Sequence, residues 1–169
     1  MGAETSAIEY EQTKAKNDLE AQTKTMKETI VRLLEKGEIR LYGVRILMMN
    51  PISACEKIDK VFGSGSEAIV YHMLFECGQS LFDTMIKFNP SKSLEELLKA
   101  LVEAQPLAGW GYVSLKIIHV DSPIAEIVVT NSPVKTTKGS QKHLIGAFWA
   151  GVLSRYFNHQ LTCKNFSYD

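Results

Sequence analysis

The residues able to do chemistry are few and stand apart. His72, His119, His143 and His159 are dispersed, and Cys55, Cys77 and Cys163 are widely separated among apolar neighbours. Neither set shows the close-set pairs from which protein zinc sites are built. An odd number of thiols without such pairing also gives no disulfide framework, and the cysteines read as buried structural residues. The chain has no glycine-rich dinucleotide fingerprint, phosphate-binding loop, metalloprotease histidine pair or nucleophile elbow. Residues 63–67 (GSGSE) are glycine-rich ahead of a helix. Glu67 occupies the first turn, where an anion would have to bind, so the segment reads as a linker and cap. No catalytic residue, metal or cofactor is expected, and the chain reads as a non-enzyme.

Recognition chemistry is better represented than reaction chemistry. Residues 143–151 (HLIGAFWAG) combine a histidine, two bulky aromatics and a run of small residues on one expected helix. Gly146 and Ala150 are four apart, as are Ala147 and Gly151, so two adjacent stripes of that helix are nearly bare of side chain. Each glycine inside a helix costs about 1 kcal/mol relative to alanine. Either close packing of a buried helix or a cavity lined by Phe148 and Trp149 would account for that cost.

The elements that must position these residues follow from local signals. Residues 4–36 hold no proline or glycine, are rich in Glu, Lys, Gln and Thr, and carry Leu19, Met26, Ile30, Leu33 and Leu34 as a weak apolar stripe. They read as a helix that either docks by its last turns or contributes to a dimer, with a seam too polar for a self-sufficient coiled coil. Residues 38–49 are strand-like, with a bulge or turn at Gly43. Asn50 and Pro51 start a helix that stops at Gly63, and Ser66 opens another. On that second helix Ile69, Met73, Cys77, Leu81 and Met85 recur at four-residue spacing, predicting a wide apolar face on the central core helix. Ser93 and Glu96 form a capping box ahead of LEELLKALVEA. Residues 112–120 and 124–130 alternate as a hairpin, and residues 141–157 carry the small-residue helix. Residues 160–169 read as a final strand, with Leu161 and Cys163 on one face and Phe166 and Tyr168 on the other.

Composition limits the partners. The 169 residues carry 19 Lys+Arg against 19 Asp+Glu, which gives no electrostatic reason to expect nucleic acid. Hydrophobic residues make up 45%, enough for one globular core. No apolar run approaches a membrane span, no charged-then-apolar leader opens the chain, and a cytoplasmic protein is expected.

Taken in order, GVRILMMNPISACEKIDKVFG, GSEAIVYHMLFECGQSLFD, SLEELLKALVEAQPLAGWG, the hairpin ending in TNSP, and HLIGAFWAGVLSRYF resemble the 4-vinyl-reductase (hydrocarbon-binding) domain family. That family belongs to the superfamily of TRAPP tethering subunits and haem nitric-oxide sensors, and the likeness covers roughly three quarters of the chain, from about Gly43 onward. It implies an α/β (α+β) fold, with helices wrapped around an antiparallel sheet of about four strands. Here that would be a domain over residues 38–169 behind an N-terminal helical extension over 1–37, usually as a homodimer. The metal ligands of many members would fall on Lys142, Asn165 and Tyr168, which cannot supply a zinc site. Ala147 replaces a glycine usual in that helix.

The leading expectation is a non-enzymatic sensor that binds a hydrophobic or aromatic small molecule. Its pocket would lie between the core helix and the small-residue helix, lined by Met73, Cys77, Trp110, Thr130, His143, Phe148, Trp149 and Cys163. The alternative is a TRAPP-like interaction scaffold with a filled interior. A weaker one is an accessory role in tetrapyrrole vinyl reduction, for which the chain offers no hydride-delivering motif.

Overall fold

The computed structural model describes residues 39–41, 44–46, 50–119, 123–134 and 138–164. The N-terminal helix expected over residues 4–36 lies outside them. The chain forms two compact units, one of Met1–Leu41 and Arg45–Leu47, the other of Tyr42–Val44 and Met48–Asp169. β1 (Ile39–Leu41) and β2 (Val44–Ile46), which flank residues 42–43 in the run read as strand-like, pair with each other.

The larger unit is built from helices and an antiparallel hairpin. α1 (Pro51–Phe62) starts where the Asn50 side chain accepts the amides of Ile52 (3.1 Å) and Ser53 (3.2 Å), two donors that have no partner within the helix. A single 3-10 turn, Gly63–Gly65, joins it to α2 (Ser66–Phe88). α3 (Leu94–Ala104) opens with the reciprocal capping box: the Ser93 amide donates to Glu96 Oε2 (2.7 Å) and the Glu96 amide to Ser93 Oγ (3.1 Å). Its inner face buries Leu97, Leu98, Leu101 and Ala104. β3 (Tyr112–His119) and β4 (Ile124–Thr130) pair antiparallel, with Leu115 opposite Ile127 and Lys116 opposite Glu126. A 3-10 turn at Ser140–His143 leads into α4 (Leu144–Tyr156).

The core lies where α2, α3 and α4 meet the inner face of the hairpin. Val70, Phe82, Met85, Leu97, Leu101, Leu144, Trp149 and Val152 are buried there, with Val113, Leu115, Ile117, Ile127 and Val129 packed against them. Each fully buried large side chain contributes about 1.5–3 kcal/mol of transfer free energy.

Two expectations are corrected. The described residues hold two separate two-stranded sheets, and residues 160–164 form no strand. Helix side chains take the backbone donors that a strand would use: the Leu161 amide donates to Ser154 Oγ (2.8 Å) and the Cys163 amide to Tyr71 Oη (3.3 Å). Residues 165–169, with Phe166 and Tyr168, lie outside the described part. The second correction concerns α2, whose buried face is Val70, Phe75, Gly78, Phe82 and Met85. Ile69 and Met73 are 40% and 44% exposed. Each four-residue step overshoots a turn by about 40°, so a ladder from Ile69 to Met85 winds about 160° around the helix. It begins in solvent and ends in the core.

Candidate functional site

The crossing of α2 and α4 decides what the interior can hold. A Cβ on Gly78 would land on the Phe148 carbonyl oxygen, with Val152 N at 3.1 Å. A Cβ on Gly151 would land on the Phe75 carbonyl oxygen, with Gln79 N at 3.1 Å. Each helix therefore presents a glycine to the other's backbone, and nothing wider than a hydrogen fits between them at those points. The two bare stripes of α4 separate in function: Gly151 serves this crossing, whereas Gly146 faces Cys163, whose Sγ would be 2.7 Å from an added Cβ.

The residues expected to line one pocket are dispersed. Met73 and Cys77 lie on the exposed face of α2. Thr130 is exposed because it shares strand parity with Glu126 and Val128, which also point outward, so it cannot belong to the inner sheet face. Trp149 is 1% exposed and fills core. Phe148, half-buried, stacks on Trp110 with centroids 6.3 Å apart and an interplanar angle of 10°, and meets Trp149 edge-on at 5.9 Å. The structure thus gathers Trp110, Phe148 and Trp149 into one aromatic row.

His143 and Cys163 belong to a different cluster, organised by two residues of α2: Tyr71, which the sequence pattern does not single out, and Glu67, which reads there only as part of a cap. The ring of Tyr71 lies edge-on to His143 at 5.5 Å and stacks on Phe75 at 6.3 Å, while its hydroxyl accepts the Cys163 amide. Glu67, one turn earlier, pairs with Lys142 Nζ at 2.6 Å and His143 Nε2 at 3.5 Å. Lys142 first, and His143 after it, hold the Glu67 carboxyl below its ordinary pKa. Burial pushes the Cys163 thiol up, away from the thiolate that nucleophilic attack or metal binding requires. The cluster ties the entrance of α4 to α2 and to the C-terminal segment. Its available signal was the four-residue spacing of Glu67, Tyr71 and Phe75.

A second polar joint fixes the preceding turn. The Ser140 amide donates to Asp59 Oδ1 (3.2 Å) and Oδ2 (3.3 Å), and hydrogen bonding from Ser66 and Ser140 keeps the Asp59 carboxyl below its ordinary pKa. Cys55, 1% exposed beside it, has its pKa raised, chiefly by burial. Among the described residues no three His, Cys, Asp or Glu side chains converge as metal ligands, and no helix is long and apolar enough to cross a membrane.

The outer surfaces carry the remaining distinctive features. A shallow groove of about 280 Å³ on α2 is lined by Glu76, Gln79, Ser80, Asp83, Thr84 and Lys87, all polar. Large apolar side chains are exposed at Val61 and Phe62 on α1, at Ile69 and Met73 on α2, and at Tyr112, Ile124 and Val128 on the hairpin. Comparison of the chain with protein-family models, curated proteins and solved structures finds no match.

Proposed function

We propose that this chain is a non-enzymatic interaction domain with a filled interior, working through its surfaces. The observation that carries the reading is the α2–α4 crossing, where Gly78 and Gly151 bring backbone against backbone in the place a ligand would need. Exposed apolar residues on the hairpin and on the first turns of α2 supply surface for partners. The free thiols of Cys55 and Cys77 support residence in a reducing compartment such as the cytoplasm. Native mass spectrometry of the protein purified from its own host tests the reading. The polypeptide mass alone, without a retained small molecule, is expected; a stoichiometric hydrophobic adduct would overturn it.

The ligand-binding reading keeps one specific support, the half-buried stack of Trp110 on Phe148, which could receive an aromatic ring from the side. Saturable quenching of tryptophan fluorescence by naphthalene-type compounds, lost in Trp110→Ala, would favour it. A linear, non-saturating response would remove it.

A further inference from the structure

We propose that the outer face of the β3–β4 hairpin seats the same face of a second copy of this chain, across a two-fold axis parallel to the strands. The face is built from Tyr112, Ser114 and Lys116 on β3 and Ile124, Glu126, Val128 and Thr130 on β4, all exposed. Tyr112, Ile124 and Val128 are 64%, 51% and 49% exposed, so the face has an apolar part that water covers poorly in the single chain.

Charge decides which occupant fits. Lys116 and Glu126 sit opposite each other in the strand register, yet neither makes an ion pair among the described residues. A two-fold axis along the strands carries β3 over the partner's β4 without changing position along the strand. Lys116 then lies over the partner's Glu126, and its own Glu126 lies under the partner's Lys116. Ser114 meets the partner's Val128 by the same operation, and Tyr112 meets the partner's Thr130. A face holding one charge of each sign at a single register level is complementary to itself under this operation, as a two-fold interface requires. A two-fold axis across the strands at that level would set lysine over lysine.

The side chains of this face present on the order of 500 Å², so a pair would bury about 1,000 Å², the low end for a specific interface. The dimer should accordingly form at micromolar concentrations and dissociate on dilution. The inference shares with the interaction reading only the idea that surfaces matter; a monomer with an empty mass spectrum would sink the inference and leave that reading standing.

The test is sedimentation velocity on the full chain over a dilution series, with Lys116→Glu and Glu126→Lys studied singly and mixed. The wild type is expected to show a concentration-dependent dimer. Each single reversal should weaken it roughly tenfold or more by setting like charges face to face, with melting temperature little changed. A one-to-one mixture of the two variants should recover the dimer, because the charges complement between chains although neither chain restores its own cross-strand pair. Should a reversal fail to fold, Val128→Ser on the same face serves instead and should also weaken the dimer. A wild type that stays monomeric, variants that stay dimeric, or a mixture that stays monomeric would each overturn the proposal.

Discussion

Replacing Gly151 with alanine tests the filled interior directly. Helix propensity alone favours the change by about 1 kcal/mol. Against that gain, the new Cβ would sit on the Phe75 carbonyl oxygen, with Phe75 C at 2.9 Å and Gln79 N at 3.1 Å. All three atoms are backbone, so α2 cannot yield by turning a side chain, and the helices must separate by an ångström or more. Overpacking of this kind costs about 1–3 kcal/mol before the surrounding core is disturbed. Separation also loosens Trp149, Val152 and Phe82, which are buried around the crossing, at about 0.8 kcal/mol for each methylene group returned to water. Net destabilisation of about 2 kcal/mol is expected, which for a chain of this size lowers the melting temperature by about 4–8 °C. Urea unfolding followed by tryptophan fluorescence measures it. Gly146→Ala is the control, because its Cβ meets the Cys163 sulfur at 2.7 Å and the Cys163 Cβ at 3.2 Å, and turning the sulfur away with a shift of a few tenths of an ångström in a segment outside any helix or strand relieves both. That variant should be neutral or slightly stabilised. Gly78→Ala should resemble Gly151→Ala, and the double variant should lose less than the sum, since one separation relieves both clashes. A Gly151→Ala protein as stable as the wild type would mean that space lies between the helices, and the case for a filled interior would fail.

Three further outcomes are expected. Asp59 has a lowered pKa in the folded chain, so its contribution to stability is present above its unfolded value of about 3.9 and is lost as pH falls through the folded one. Asp59→Asn should be less stable than wild type at neutral pH, with the difference shrinking below about pH 4; a constant difference down to pH 2 would refute the assignment. Alkylation at neutral pH, read by peptide mass spectrometry, should modify exposed Cys77 first, Cys163 more slowly and buried Cys55 last. Equal rates would contradict the described packing. Elemental analysis should find no stoichiometric zinc and a chelator should leave the melting temperature unchanged, since His143 is engaged with Glu67 and Tyr71 and the Cys163 thiol is held protonated. Zinc held by His143 and Cys163 would reverse this.

What could be read from the sequence was set by neighbours a few residues away. Asn50 caps α1 because the amides it accepts are two and three residues on, and Ser93 and Glu96 find each other across one turn. The parity of the hairpin is likewise local, and by itself it contradicts an inward placement of Thr130. The fate of the C-terminal segment was not local. Whether the Cys163 amide joins a sheet or meets a phenol depends on Tyr71, 92 residues earlier, and nothing in residues 160–164 announces that partner.

The same limit explains why a cavity and a tight crossing look alike in α4. Glycines in a helix remove side chain, and the sequence of that helix cannot say whether a ligand or another backbone takes the space. The deciding residue sits in α2, where Gly78 interrupts a helix of 23 residues at the same energetic cost. A ligand pocket requires glycine on one wall only, with side chains opposite to grip the ligand. Glycines on both walls, each opposite the other's carbonyl, suit two backbones in contact and leave a ligand nothing to hold. Pairing Gly78 with Gly151 therefore turns an ambiguous signal in one helix into a defined backbone contact between two.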